Sequence, residues 1–312
     1  MEERKLIKFG NSSFVVTLPY EWIEKNKLNK GDSIKIVEKQ DSIILSANNT
    51  CNEKIAEISL DNMPLKLFNK ELISYYLKNY KFIKIKGKEI LERIAEIKIF
   101  KEKLSSIEII EMNKEYIILK DLTNVPELEI NTLINEIVEM EKILFEELIK
   151  SENGKKNSLI TQLDSNVNRL MFLAYKTINY NLDVWQRPEE VKYEIHYWRM
   201  IAAFEQIGDI IKRIARYMKG EDKEITYNMT ILLENTRDYF IFITDLLNKK
   251  VNLEPNLKIY LDKKQSLLIS FEELKDKMLG KINLYLVITQ LLKDILGQLD
   301  TVVVSIIDLK NF

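Results

Sequence analysis

One cysteine, Cys51, and one histidine, His196, stand in a chain of 312 residues. A single thiol excludes an internal disulfide and any zinc site built on several thiolates. A single imidazole excludes histidine-rich metal sites and any catalytic arrangement that needs a second one. Proline (5) and glycine (8) are scarce, so little interrupts long helices. No run of about 18 apolar residues occurs, so no segment reads as membrane-spanning. The start, MEERKLIKFG, is charged and then turn-like, unlike a signal peptide, and the protein is expected in the cytoplasm. Charge of one sign is lacking too. With 47 Lys and Arg against 48 Asp and Glu, the net charge is −1 and no global basic field exists. Any contact with nucleic acid must therefore come from a local patch. Neither a glycine-rich phosphate loop nor a nucleophile elbow is present, and the one histidine has no visible orienting partner. No catalytic constellation is read here, and the chain is not expected to be an enzyme.

What is present is a foldable composition, 46% hydrophobic and 30% charged, in a chain long enough for two or three domains. Residues 4–46 alternate sharply. RKLIKF reads as a strand, Gly10 to Ser13 as a turn and FVVTL as a second strand. Pro19 opens a short helix, PYEWIEKN, in the position proline favours. Asn29–Asp32 is a turn, and SIKIVEK and SIILSA are strands around Gln40-Asp41. Four short strands and one helical turn cannot bury a full core, and units of this size usually need a second copy. Residues 53–124 read as an α/β connector: strand KIAEISL, helix Pro64 to Lys78, strand KFIKIKG, a second helix, then a hairpin around Asn113-Lys114. Lys81, Lys84, Lys86 and Lys88 alternate here as a solvated face.

From Pro126 the chain turns helical. Helices are expected at about 128–150, 159–181, 198–219, 226–250, 257–278 and 281–309. Three and then three more suggest tandem bundles, 126–222 and 223–312, related by duplication. The most informative of them is WRMIAAFEQIGDIIKRIARYMK, Trp198 to Lys219. Its apolar residues recur close to the helical period. Inside that stripe Glu205 and Asp209 are spaced i, i+4, which puts two like charges on one face. A bound hard cation would offset the repulsion; so would pairing to Lys212 and Arg213. Gly208, at a propensity cost of about 1 kcal/mol, suggests close helix packing.

Two family resemblances follow from these residues. K-x-x-K-F-G-N-S-S-F-V-V-T-L-P-Y-E-W, followed by L-N-K-G-D-S-I-K-I, resembles the AbrB/MazE/SpoVT swapped-hairpin DNA-binding family over residues 3–47. The resemblance implies an intertwined β-hairpin barrel, a homodimer through residues 1–48, and duplex DNA as partner. Arg4, Lys5 and Lys8 would face phosphates, and Asn11, Ser12 and Ser13 would sit in the turn nearest the grooves. W-R-M-I-A-A-F-E-Q-I-G-D-I-I-K-R-I-A, preceded by L-D-S-N-V-N-R-L-M-F-L, resembles the PhoU family of paired three-helix bundles. That likeness implies phosphate homeostasis as the setting, and a divalent or iron-type metal on the first bundle held by Asp164, Asn168, Glu205 and Asp209. Asn168 departs from the acidic pattern. Lys293 and Gly297 fall where the second bundle's acids would be, so a second metal site is not expected. Arg169 and Arg199 are expected to bridge helices to carboxylates, and His196 to lie in the bundle core or its rim. The fold class is thus multidomain α+β: hairpin barrel, α/β connector and tandem all-α bundles. The function implied is a phosphate-responsive, DNA-binding transcriptional regulator. The alternative is an adaptor that docks on the ATPase subunit of a phosphate transporter, its head serving only to dimerise.

Overall fold

Period-two alternation gives way to period 3.6 along the chain, and the computed structural model follows that change. It describes residues 3–10, 13–39, 42–47, 55–150, 157–184, 188–218, 223–247, 253–275 and 282–310. They divide into two compact units, 1–55 and 56–312.

In the first unit, β1 (Ile7–Phe9) pairs antiparallel with β2 (Ser13–Val15). Gly10, at φ +70°, takes the left-handed turn conformation that a side chain would resist. The strands are shorter than the sequence suggests. Helix α1 (Tyr20–Lys25) starts just after Pro19, whose carbonyl accepts from the amides of Trp22 and Ile23. Asp32 accepts from the amide of Asn29 at 2.6 Å and closes the next turn. Then β3 (Ile34–Lys39) and β4 (Ser42–Ala47) form a second antiparallel hairpin. The Gln40-Asp41 turn lies outside the described residues. Wherever side-chain burial is described, this unit contains no buried residue. Phe9 is 70% exposed and Tyr20 75%.

The second unit begins as a four-stranded sheet in the order β5-β6-β8-β7. Its elements run β5 (Ile55–Ser59), α2 (Leu65–Leu77), β6 (Phe82–Lys86), α3 (Ile90–Lys101), β7 (Ile107–Met112) and β8 (Tyr116–Asp121). One face carries the core, with Ile58, Ile83, Ile85, Ile117 and Leu119 under Phe68 and Leu72 of α2 and Ile97 of α3. The other face is only partly covered. Lys86 pairs there with Glu57 at 2.6 Å, and Lys84 lies 4.2 Å from the Tyr116 ring centre.

Six helices follow a 3-10 turn at Val125–Glu127: α4 (Ile130–Ile149), α5 (Asn157–Val184), α6 (Pro188–Tyr217), α7 (Lys223–Asp245), α8 (Leu253–Lys275) and α9 (Ile282–Lys310). Four start earlier than read, α6 and α8 by the most. In α6 Pro188 takes the first position, and in α8 Pro255 falls in the first turn, where proline removes no helical hydrogen bond. The two sets of three helices do not have separate cores. One continuous cluster runs from Ile130 to Ile306, and α6 lies along α9.

A buried charge fixes the sheet to this helical body. Lys176 of α5 is fully buried and pairs with Asp121 at the end of β8, itself 5% exposed. Its ammonium also donates to the Tyr76 carbonyl at 2.8 Å and lies 4.2 Å from the Tyr76 ring centre. Burial pulls Lys176 below the ordinary lysine range, and Asp121 opposes that pull. Asn179 donates to the Leu77 carbonyl at 3.1 Å, and Phe172 enters the sheet core. Removing one partner of such a pair leaves the other charge buried. Lys176→Met is expected to cost about 3–5 kcal/mol in urea unfolding, and Lys176→Met/Asp121→Asn to recover most of it. Equal loss in both variants would show that packing alone joins the parts.

Candidate nucleic-acid interface and a buried acid cluster

The residues proposed to meet DNA begin in an extended segment and continue into β1. Arg4, Lys5 and Lys8 are all exposed. Ser13, the first residue of β2, is exposed as well; Asn11 and Ser12 lie outside the described residues. The register sets Lys8 opposite Phe14 and Phe9 opposite Ser13. Side chains alternate along a strand, so Lys8 and Ser13 occupy opposite faces of this hairpin. The candidate residues therefore do not form one flat patch. Apolar side chains surround them: Leu6, Phe9 and Phe14 are each at least 60% exposed.

The carboxylates read from the helices do come together. Lys212 of α6 donates to Asp164 of α5 at 2.8 Å and lies 2.9 Å from Asp209. Asn168 donates to the same Asp164 oxygen at 3.3 Å, and Tyr175 donates to Glu205 at 3.4 Å. Arg213, read as a second counter-ion, is exposed and takes no part. Burial, and then Asp209, hold the Glu205 carboxyl above the usual range. Burial alone would lower Lys212, but its hydrogen bonds to Asp164 and Asp209 outweigh this and hold it above the ordinary lysine range.

Sequence reasoning missed the acid beneath this surface. Glu141 of α4 is 0% exposed, and neither of its carboxyl oxygens has a hydrogen-bond partner. A Cβ on Gly208 would stand 2.8 Å from its Oε1, so the glycine in mid-helix is what makes room for the carboxyl. Burial first, then Asp164 and Asp209, push Glu141 well above the usual carboxylate range. A signal was available: Glu141 sits four residues after Ile137 and three before Leu144, inside the apolar stripe of α4.

A multinuclear metal fits this arrangement poorly. The Lys212 ammonium already sits between Asp164 and Asp209. Among the described residues no three His, Cys, Asp or Glu side chains converge as a metal site. Lys212 neutralises Asp209 together with Asp164, while Glu205 accepts from Tyr175.

Of the two arginines expected to bridge helices, Arg199 reaches Asp308 of α9 at 3.8 Å, beside His196 at 3.4 Å. Arg169 does not bridge. It is exposed, with no carboxylate partner among the described residues. Asp300 of α9 binds Tyr260 and Lys264 of α8, and Asp294 accepts from Gln290 of its own helix at 2.9 Å.

Against known proteins, residues 7–50 match a family model described as antidote-toxin recognition MazE, bacterial antitoxin. Comparisons with curated proteins and with solved structures give no match. The N-terminal unit is thus a MazE/AbrB-like hairpin domain. The match does not extend to the sheet or the helices. No helix among the described residues is long and apolar enough to cross a membrane.

Glu141 gives a measurable pH dependence. The folded state holds its proton at pH values where the unfolded chain has released it. The stability tied to that proton is complete below the ordinary carboxylate range and is lost as pH rises above it. Glu141→Met should raise unfolding stability at neutral pH by roughly 1–3 kcal/mol and flatten this decline. An unchanged pH profile of thermal unfolding would mean that Glu141 meets a partner in solution.

Proposed function

We propose that the chain is a DNA-binding transcriptional regulator of the cytoplasm. Its MazE/AbrB-like head dimerises and reads duplex DNA, and its sheet and helices sense a signal or dock a partner. The observation that carries this reading is the head itself. It matches a family model over residues 7–50, yet none of its residues whose burial is described is buried in the single chain. Two isolated two-stranded hairpins are marginal in water. A second copy interlocking with the first would cover Phe9, Phe14, Ile36 and Ile43, and would bring two sets of Arg4, Lys5 and Lys8 onto one duplex. Phosphate as the physiological signal rests on the likeness of α5 and α6 to PhoU helices. The acid cluster belongs to this reading as a structural element whose cation is Lys212.

A reading without DNA has one observation in its favour: acids in the head are about as numerous as bases. The head would then only clamp two copies of an adaptor, for example on a transporter ATPase subunit.

Duplex binding separates the two. For the regulator, the logarithm of affinity should fall steeply with the logarithm of salt. In Lys5→Ala/Lys8→Ala the slope should shrink by about one for each lysine that leaves a phosphate. Weak, salt-insensitive binding identical in both proteins would leave the adaptor. Both readings need the dimer. Ile36 and Ile43 lie on one face of the second hairpin, each exposed by more than 60%. The full-length Ile36→Glu/Ile43→Glu variant should run as a monomer by light scattering; a dimer of unchanged mass would place the interface elsewhere.

A further inference from the structure

Arg169 is an exposed cation of the helical body with no ion-pair partner among the described residues. It projects from α5 and makes no hydrogen bond or ion pair with any described residue. Two open grooves, of about 530 and 540 Å³, share Arg169 and Asn166 in their walls. One lies along α4 and α5 and is walled by Met140, Leu170, Asn135 and Glu136. The other lies between α5 and the turn joining α3 to β7, and is walled by Lys103, Lys101, Ser106 and Ser165.

Half of the other charges at these walls are already paired. Lys101 pairs with Glu108 at 2.6 Å and Glu139 with Lys142 at 2.7 Å. Lys103 pairs with no carboxylate and lies 5.6 Å from the Phe100 ring centre. The second groove therefore offers a guanidinium and an ammonium beside the Ser165 hydroxyl, opposed by Glu102 alone. A planar guanidinium fork matches phosphate oxygens in a bidentate way. The first groove differs in chemistry. Its Met140 and Leu170 walls are apolar, and Asn135 and Glu136 add acceptors suited to hydroxyl or amino groups. Together the two have the volume and the few placed polar groups of a small-molecule site.

We propose that this double groove binds a mononucleotide, with its phosphate on Arg169 and Lys103 and its nucleoside against Met140, Leu170 and Glu136. A free phosphate ion would use only the basic half and leave Glu136 facing empty space. A nucleotide uses both halves. Walls from the α3–β7 turn and from α4 and α5 would close on one ligand, so binding should also tighten the sheet against the helices.

The test is calorimetric titration of the full-length protein with AMP, GMP, CMP and UMP, and with adenosine and inorganic phosphate as controls. At least one mononucleotide should bind, tenfold or more tighter than either control, and should raise the unfolding temperature. Arg169→Met and Lys103→Met should each weaken it roughly tenfold or more. Both residues are exposed, so the variants should keep the unliganded unfolding temperature. The proposal is overturned if no mononucleotide binds at millimolar concentration, or if Arg169→Met binds as well as wild type. Inorganic phosphate binding as tightly as the best nucleotide would overturn the nucleotide assignment. The site does not depend on DNA contact. Lys5→Ala/Lys8→Ala should bind the nucleotide unchanged, and a loss there would assign the ligand to the head and overturn the proposal.

Discussion

The buried pair of Lys176 and Asp121 sets the geometry of the second unit. A lysine with no solvent exposure is tolerable only because a carboxylate, a backbone carbonyl and an aromatic face surround its ammonium. Hydrophobic contact between sheet and helices would allow small slips; a buried ion pair with directed hydrogen bonds allows one register. That register passes along α5. Asp164, Asn168 and Arg169 lie about two to three turns before Lys176 on the same rigid helix. The pairing at Asp121 therefore also places the acid cluster and the free guanidinium relative to the α3–β7 turn. Pairs of this kind contribute little net stability compared with well-packed apolar residues, so specificity of docking is the physical role that remains for it.

The two helix triplets solve one problem with opposite charges. In the first, an acid on α5, Asp164, meets a base on α6, Lys212. In the second, a base on α8, Lys264, meets an acid on α9, Asp300, with Tyr260 on the same carboxylate. Each triplet carries a cross-helix ion pair of its own, with the charges exchanged between its second and third helices. This matters for how the carboxylate spacing is read. Glu205 and Asp209 alone look like half of a cation site. With Lys212 one turn on, an ammonium paired to both Asp164 and Asp209 already occupies the place a bound cation would take. Gly208 belongs to the same arrangement, because any side chain there would displace the Glu141 carboxyl.

Much of the fold was legible in the sequence because its signals are local. Period-two runs mark β5 to β8, and a strong apolar stripe marks α4 and α6. Boundaries slipped where proline sat within the first turn of a helix and not ahead of it, as at Pro188 and Pro255. The division into two bundles was legible only as a count of helices. That α6 and α9 share one core is a long-range fact with no local signature. The site was legible by halves. The i, i+4 spacing brought Glu205 and Asp209 to notice and the PhoU resemblance added Asp164 and Asn168, but neither says which neighbouring cation reaches the cluster. Lys212 does and Arg213 does not, because one more residue around the helix turns a side chain by about 100°, here into solvent. Glu141 was hidden by type, since a glutamate in a charged chain reads as surface unless its place in the apolar stripe is weighed.

The head imposes a last constraint. A unit with no buried residue among those described would take its core from a partner, and a partner that is a second copy would bring two-fold symmetry. On the proposed reading, the duplex then meets two identical basic strands related by that axis, so the site it prefers should be an inverted repeat whose spacing is set by the dimer. Lys8 and Ser13 occupy opposite faces of one hairpin, so from one copy they would meet different sides of a groove. A continuous interface could combine the strand of one copy with the turn of the other. Dimer formation would then create the reading surface as well as the core. A signal acting on the sheet and helices could change DNA affinity by altering how the two copies pair, without touching a DNA contact.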